Sequence, residues 1–393
     1  MMQGLLDAIA RGFQGGSLEF ALPDGRRFTL GAGEPRARLR FRSAAALRRV
    51  MMAPALRLGE AYMDGDWQPE GTDLKDLLGI GVRLEAHREH QTALGRWARL
   101  RSLLGEINTP LLSRRNVAHH YDLDESFYRR FLDADMHYSC AYFREPGQTL
   151  EQAQQEKCAL IARKLDLQPG MSVLDIGCGW GGLAMHLAQH HGVHVTGVTL
   201  SEGQLRAAQR RARERGLEGR VEFRLQDYRD TPGQFDAVVS VGMFEHVGRP
   251  QYRRFFERVA ELLQPQGVAL LHTIGRECCP GGTNPWIRKY IFPGGYIPAA
   301  SETLAAVECS GLWLTDLEVW RLHYARTLEE WHRRFQARRE EVSAQFDERF
   351  CRMWEFYLQA SEASFRDGDL VVFHLQLARD RRRLPLTREY LYP

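Results

Sequence analysis

Apolar positions change their period along the chain. Leu5, Leu6, Ile9 and Phe13 recur at helical spacing, a stripe that reads first as core packing and only second as an anchor. From Ser17 to Arg42 the period drops to two: Leu18, Phe20 and Leu22, a Pro23-Asp24-Gly25 turn, Phe28 and Leu30, a Gly/Pro break, then Ala37, Leu39 and Phe41. This predicts a short antiparallel meander. Amphipathic helices are predicted over Ala44–Met52 and Asp73–Leu104, on either side of the segment Gly59–Trp67, and the break around Glu106–Pro110 marks a domain boundary. From about Gly170 the chain alternates. Strands are predicted over Val173–Ile176, Val193–Val198, Val221–Leu225, Asp236–Val241 and Val268–Thr273, and helices over Leu183–His190, Glu202–Arg215 and Arg253–Leu263. Alternation of this kind builds a parallel sheet covered by helices on both faces, with the ligand crevice at the carboxyl ends of the strands.

Composition narrows the function. The 393 residues suffice for about two domains, and 44% apolar content supports a core. Fifty-three Arg/Lys against 50 Asp/Glu leave a formal charge of +3, which argues against a nucleic-acid binder with a uniformly basic surface. Residues 1–115 hold 18 basic and 13 acidic side chains, so attraction to anionic partners belongs to the amino-terminal part. There Arg36, Arg38, Arg40 and Arg42 share one strand face. That face is either a solvated surface or a place for anionic lipid, at about 1 kcal/mol per basic side chain. Only four of the 53 basic residues are Lys, so Arg usage by itself says little about guanidinium chemistry. No run approaches the roughly 18 apolar residues that span a bilayer, and the first residues lack the pattern of a cleaved signal. Seven Cys without framework spacing suit a reducing cytoplasmic compartment, and the adjacent Cys278 and Cys279 lack the second pair that zinc needs.

The turn Gly177-Cys178-Gly179-Trp180-Gly181-Gly182 matches GxGxxG, which taken alone is weak. A dinucleotide site wants Asp or Glu at the end of the second strand, and this chain has Thr199-Leu200-Ser201. Asp175 two residues before the first Gly, with glycines at alternate positions, instead suits S-adenosylmethionine, whose aminoacyl end lies against backbone. Gln226-Asp227-Tyr228 after the third strand would add an acceptor for the adenine edge and an aromatic wall. Glu245-His246 follows the fourth strand, His272 lies within the fifth, Cys140 lies ahead of the fold and Tyr324 after it. Singly, each has an ordinary reading as a strand-end carboxylate, a core His, a buried thiol or a packed Tyr.

Together with their surroundings they carry a resemblance. His120–Leu123 (HYDL), Tyr138–Phe143 (YSCAYF), Leu174–Gly182 (LDIGCGWGG), Val195–Ser201 (VTGVTLS), Val241–Gly248 (VGMFEHVG), His272–Gly275 (HTIG) and Asn284–Pro298 closely resemble the cyclopropane fatty acid synthase family of S-adenosylmethionine-dependent methyltransferases. The resemblance runs over essentially the whole chain, including GEAYMDGDW near the amino terminus. It implies an α/β fold, a Rossmann-like doubly wound sheet of the class I methyltransferase type, with a smaller α+β amino-terminal domain. Residues 1–108 would dock lipid and residues 109–393 would form the catalytic domain.

The resemblance further implies methylene transfer to the cis double bond of an acyl chain in phospholipid. Bound bicarbonate would act as base, held by Cys140, Glu245, His272 and Tyr324 with backbone near Ile274. A carboxylate beside an anion is repulsive, so Glu245 is expected to share a proton. Tyr290, Phe292 and Tyr296 are candidates to face a carbocation, or simply to wall the pocket. The cofactor would be held by Tyr138, Ser139, Asp175, Gly177, Gly179, Thr199, Leu200, Gln204, Asp227 and Tyr228. Where the family commonly has Gly-Asn-Asp after HYDL, this chain has Asp124-Glu125-Ser126, which puts the local loop in question. Cys278-Cys279 has no functional account. Peripheral contact with the inner face of an anionic membrane, no nucleic-acid partner and a homodimer complete the expectation. Two other outcomes stay open: a methyl- or methylene-branching enzyme on the same fold, and a lipid-binding protein without chemistry.

Overall fold

The computed structural model describes residues 2–91 and 125–392. The HYDL motif, Asp124, the break around Glu106–Pro110, the 108/109 boundary and the end of the helix predicted to reach Leu104 lie outside the described residues. The chain forms two compact units. The first comprises Met1–Gly105, Gly282–Pro293 and Tyr324–Leu370, the second Glu106–Gly281, Gly294–His323 and Val371–Pro393. This division differs from two consecutive domains at 1–108 and 109–393, because two later segments pack with the amino-terminal part.

In the first unit, β1 (Gly16–Ala21), β2 (Arg27–Ala32), β3 (Arg36–Phe41) and β4 (Trp67–Pro69) form a sheet in the order β2-β1-β3-β4. β1 and β2 are antiparallel, as period and turn predict, but β3 runs parallel to β1 with Phe20 opposite Leu39. The meander is corrected here: alternation fixes which face a strand buries, not which neighbour it takes. The crossing is made at Gly33, where φ is +90° and a Cβ would lie 2.5 Å from the Gln14 carbonyl oxygen. Ala37, Leu39 and Phe41 are buried. On the opposite face Arg38 pairs with Glu19 of β1 (2.5 Å) and approaches Glu70 (3.6 Å), Arg40 approaches Glu70 (3.7 Å), and Arg36 pairs with Glu34 (3.0 Å). The basic face is therefore a mixed one.

Helix Ala44–Met52 has the predicted bounds, capped by the Ser43 hydroxyl accepting from Ala46 N. Glu60, in helix Pro54–Met63, shows why the segment 282–293 belongs to this unit: its buried carboxylate accepts from Lys289 Nζ (2.6 Å) and from the Tyr290 hydroxyl (3.0 Å). Asp367, past the end of helix Glu348–Arg366, is bound by Arg83 of helix Leu74–Gln91.

The second unit is built on β5 (Ser172–Ile176), β6 (His194–Thr199), β7 (Val221–Leu225), β8 (Phe235–Val241), β9 (Leu263–Arg276), β10 (Trp313–Trp320) and β11 (Leu370–Ala378). Their order is β10-β11-β9-β8-β5-β6-β7, with β5 to β9 paired in parallel. β5 to β8 and the helices Gly182–His191, Glu202–Glu214 and Tyr252–Leu262 match the expected elements within a residue or so, while β9 is longer than expected. Alternate residues serve the two faces: Leu174, Val238 and Leu271 pack with Phe255 and Phe256, whereas Val173, Val239 and Leu270 pack with Ala184 and Leu187. Burial on both faces is why these strands read as apolar runs.

Candidate active site

The chain enters helix Gly182–His191 through the glycine turn after β5. Gly177, at φ +82°, would place a Cβ 2.8 Å from that of Met243, so its backbone has no room for a side chain. Gly179, at φ +54°, has nothing within 4 Å of an added Cβ. It is the open edge of the turn, where a ligand can approach backbone directly. After β6, Ser201 caps helix Glu202–Glu214 by accepting from Gln204 N (3.3 Å), and the Thr199 hydroxyl donates to Gln204 Oε1 (2.9 Å).

All ten residues expected to hold the cofactor line one crevice at the carboxyl ends of β5 to β8: Tyr138, Ser139, Asp175, Gly177, Gly179, Thr199, Leu200, Gln204, Asp227 and Tyr228. Asp227 departs from the simple expectation of an adenine acceptor, because its carboxylate already accepts from Arg229 N (3.0 Å) and from its guanidinium (2.8 and 2.5 Å). The Tyr228 ring is fixed edge-on against Phe255, and burial pushes its hydroxyl up to about 12.

The crevice has a charged floor of which sequence reading singled out Asp175 but not His137 or Lys157. Asp175 is 2% exposed, and its Oδ2 has no hydrogen-bond partner among the described residues. Burial pushes this carboxyl up to about 7, against the nearby positive charges of His137 and Lys157. Lys157, from helix Leu150–Lys164, is buried with its Nζ donating to Ser139 Oγ (2.8 Å), and burial holds it below the ordinary Lys range. His137 pairs through Nδ1 with Asp133 (2.8 Å). An orphaned carboxylate oxygen, a hydroxyl and an open glycine edge form a donor and acceptor set that fits the ammonium, carboxylate and ribose of S-adenosylmethionine. Among the described residues no cluster of His, Cys, Asp and Glu is suited to hold a metal ion.

Of the candidate reactive residues in this unit, Cys140, Glu245, His272 and Ile274 are not in the lining of the crevice. Glu245 sits in the turn Phe244–His246 after β8, 8% exposed. Its Oε1 accepts from Ile274 N of β9 (2.6 Å), and Oε2 has no partner among the described residues. Burial raises its pKa, only partly offset by donors from the backbone of Ile274 and the side chain of Thr273, the direction that proton sharing requires. The Ile274 N–H is thus committed to Glu245 instead of pointing to an anion directly. His272 stands opposite Val241 in the β8–β9 register, and its carbonyl accepts from Gly242 N (2.9 Å). Its Nδ1 meets Nε2 of His374 on β11 at 2.7 Å. Cys140 directly follows Ser139 and is fully buried.

Glu245, His272 and Ile274 are brought together by two adjacent strands. Tyr324 belongs to the first unit, where its ring packs on Phe365 (4.8 Å) and Trp331 (5.8 Å). Tyr290 and Phe292 also lie there, whereas Tyr296 is in the second unit with its hydroxyl donating to Glu302 (2.8 Å) and its backbone N–H donating to the Glu245 carbonyl (2.9 Å). Glu125, the described acid of the altered loop, accepts from Arg210 (2.6 Å) and Arg129 (2.8 Å), so its added charge is neutralised locally. Cys278 and Cys279 are exposed and form no disulfide.

Comparison with known proteins agrees with this geometry. Residues 111–375 match the family described as mycolic acid cyclopropane synthetase, and residues 7–89 match a domain of unknown function. The chain is 39% identical over 350 residues to the cyclopropane-fatty-acyl-phospholipid synthase of Escherichia coli K12, covering 88% of this chain and 89% of that protein. It is 38% identical over 371 residues to the tuberculostearic acid methyltransferase UfaA1 of Mycobacterium tuberculosis, covering 89% and 85%. Among solved structures, mycolic acid cyclopropane synthase CmaA1 complexed with SAH and CTAB superimposes with a TM-score of 0.64 at 33% identity, over 70% of this chain and 99% of that one. The match spans the glycine turn, the charged floor and the segments that carry Glu245 and His272, and the chain belongs to the cyclopropane fatty acid synthase family of S-adenosylmethionine-dependent methyltransferases.

Proposed function

We propose that this enzyme converts the cis double bond of an unsaturated acyl chain in membrane phospholipid into a cyclopropane ring, with bicarbonate as the base. The observation that carries this reading is the placement of Glu245. A buried carboxylate with one oxygen tied to Ile274 N–H, and the other without a partner among the described residues, stands just past the strand whose end lines the cofactor crevice, and Ile274 lies two residues along β9 from His272. S-adenosylmethionine, when bound, would supply an electrophilic methyl group to the alkene and leave as S-adenosylhomocysteine, one proton of that methyl passing to the proposed bicarbonate as the ring closes.

The chain's own residues prepare this step. Asp175 offers its unpartnered oxygen to an ammonium, Ser139 presents a hydroxyl held by Lys157, and the Gly177–Gly179 edge admits backbone contact. Thr199 and Gln204 brace one another, and Tyr228 walls the crevice. Glu245, whose pKa burial raises, would share a proton with a small anion instead of repelling it, and Cys140 and His272 belong to the proposed set for bicarbonate in the same unit.

Substrate access is proposed at a membrane surface. No helix among the described residues is long and apolar enough to cross a bilayer. Peripheral contact from the cytoplasmic side through the first unit, and a homodimer, remain part of the proposal. The test is NMR of lipid recovered after incubation with cofactor and unsaturated phospholipid vesicles. A shielded cyclopropane methylene is expected, and vinylic protons or a methyl branch in its place would overturn ring closure. Branching is the second reading, supported by the similarity to the tuberculostearic acid methyltransferase.

A further inference from the structure

His374 was not among the residues that the sequence singled out, and the contact between His272 Nδ1 and His374 Nε2 at 2.7 Å gives it work to do. The two rings are 2% and 0% exposed. His374 lies against the indole of Trp320 with centroids 3.9 Å apart, and His272 meets the same indole edge-on. Both imidazoles lie well below the ordinary His range: burial comes first, and the charges around them, Lys157, Lys164 and His323, are all positive. Glu318, opposite His374 across the β10–β11 pair, is bound by Lys164 Nζ (2.5 Å). Burial and the surrounding positive charge favour the neutral form of both rings.

Two neutral imidazoles joined nitrogen to nitrogen share one proton, and the outer nitrogens follow from where it resides. If His272 donates from Nδ1, then His374 must carry its own proton on Nδ1. That nitrogen is buried and has no hydrogen-bond partner among the described residues, and a buried orphan N–H is among the rarest features of native structures. If His374 donates from Nε2, the orphaned Nδ1 is only a bare lone pair. His272 then accepts at Nδ1 and carries its proton on Nε2. The second arrangement is the less costly, and it also gives both rings the intrinsically preferred tautomer of neutral histidine.

We infer that His374 is a positioning residue which locks His272 in the Nε2–H tautomer, making His272 a fixed hydrogen-bond donor. The consequence rests on the proposed bicarbonate reading: an anion needs donors, and His272 held as a neutral donor serves it over the whole working pH range.

Two measurements on the full-length enzyme test this. In protein labelled with 15N-histidine, His272 should show a protonated Nε2 and an unprotonated Nδ1, unchanged from pH 6 to 9. A protonated Nδ1 on His272, or an imidazolium at pH 6, would overturn the assignment. His374→Leu removes the donor and should lower turnover by about 10²-fold or more, with cofactor affinity within about threefold. His374→Gln keeps an N–H donor and should recover most of that loss; equal activity of the Leu variant and wild type would refute a positioning role. If the Leu variant does not fold, the Gln variant and the wild-type spectrum still decide. Turnover of wild type in bicarbonate-depleted buffer separates the two ideas. Indifference to bicarbonate with the expected spectrum sinks the bicarbonate reading alone, and a bicarbonate requirement with the wrong tautomer sinks only the role of His374.

Discussion

Replacing Asp133 with Asn would break a buried charge pair beneath the cofactor crevice. Asp133 is 3% exposed, and its carboxylate accepts from His137 N (2.8 Å), His137 Nδ1 (2.8 Å) and Asp135 N (3.1 Å). Burial alone would lower the His137 pKa, but the Asp133 charge outweighs it and raises the ring above its ordinary 6.5. Burial likewise works to raise Asp133, and the His137 charge and hydrogen bonds bring it below 3.8. The signs define a window. The histidine contribution is fully present below pH 6.5 and lost as pH rises through the raised value. The aspartate contribution is present above pH 3.8 and lost as pH falls through the lowered one. The pair is strongest between those limits. Removing one partner of a buried pair costs about 3–5 kcal/mol. Asn keeps one acceptor for the backbone, so about 3 kcal/mol is expected near pH 6, or roughly 6–12 °C in Tm for a unit of this size. Because His137 and Ser139 line the crevice, S-adenosylmethionine binding should weaken as well. Thermal unfolding of both proteins at pH 6 and pH 9.5 is the assay, with the difference shrinking at the higher pH. Coincident unfolding at pH 6 would refute the pair as a stabilising element, and a difference equal at both pH values would refute its ionic character.

Other expectations follow from the same geometry. Glu245→Gln should cut turnover by about 10²-fold or more while calorimetric cofactor affinity changes little, since Glu245 does not line the crevice; a large affinity loss would move it into the cofactor site. Gly179→Ala should cost about 1–2 kcal/mol through its left-handed backbone and weaken cofactor binding about tenfold or more, because its Cβ enters open space that a ligand would use, whereas Gly177→Ala, which adds a collision with Met243 to the same backbone cost, should lower Tm further. Equal behaviour of the two would refute the distinction. Binding to anionic vesicles should fall only weakly with salt, because Glu19, Glu34 and Glu70 already pair with the basic strand face. Glu19→Gln with Glu70→Gln should strengthen binding, and no change would show that this face does not meet lipid.

Much of this was legible in the residues, for reasons that also explain the rest. β5 to β8 stood out because a strand buried on both faces is an apolar run, and all ten residues proposed to hold the cofactor line the crevice at the ends of those strands. β10 did not, since its residues from Trp313 to Val319 are half-buried or exposed and carry no alternation. The pairing of β3 with β1 escaped because period two encodes a face and not a partner. The return of 282–293 to the first unit depends on Lys289 and Tyr290 meeting Glu60 across more than two hundred residues, a contact that no local pattern announces. His374 was invisible for the same reason: within Val371–Leu375 it reads as a lone core histidine until β11 sets it beside His272.

The scarcity of lysine has structural content. The four lysines sit at 75, 157, 164 and 289, and each meets a specific oxygen partner: Lys75 lies 3.6 Å from the buried Glu362, Lys157 donates to Ser139, Lys164 to Glu318 and Lys289 to Glu60. Lys157 and Lys164 are 1% and 0% exposed on one helix. An ammonium is a compact point charge on a flexible stem, whereas a guanidinium is a wide planar fork whose five donors all need acceptors. Beneath the crevice Lys157 donates to the Ser139 hydroxyl, with Asp175 close enough to feel its charge. Lys157→Arg should therefore strand donors in a buried site at about 1–3 kcal/mol, displace Ser139, and weaken cofactor binding by tenfold or more. A Lys157→Arg variant that melts and binds cofactor like wild type would refute the claim that this position requires lysine, and would return the lysine pattern to composition alone.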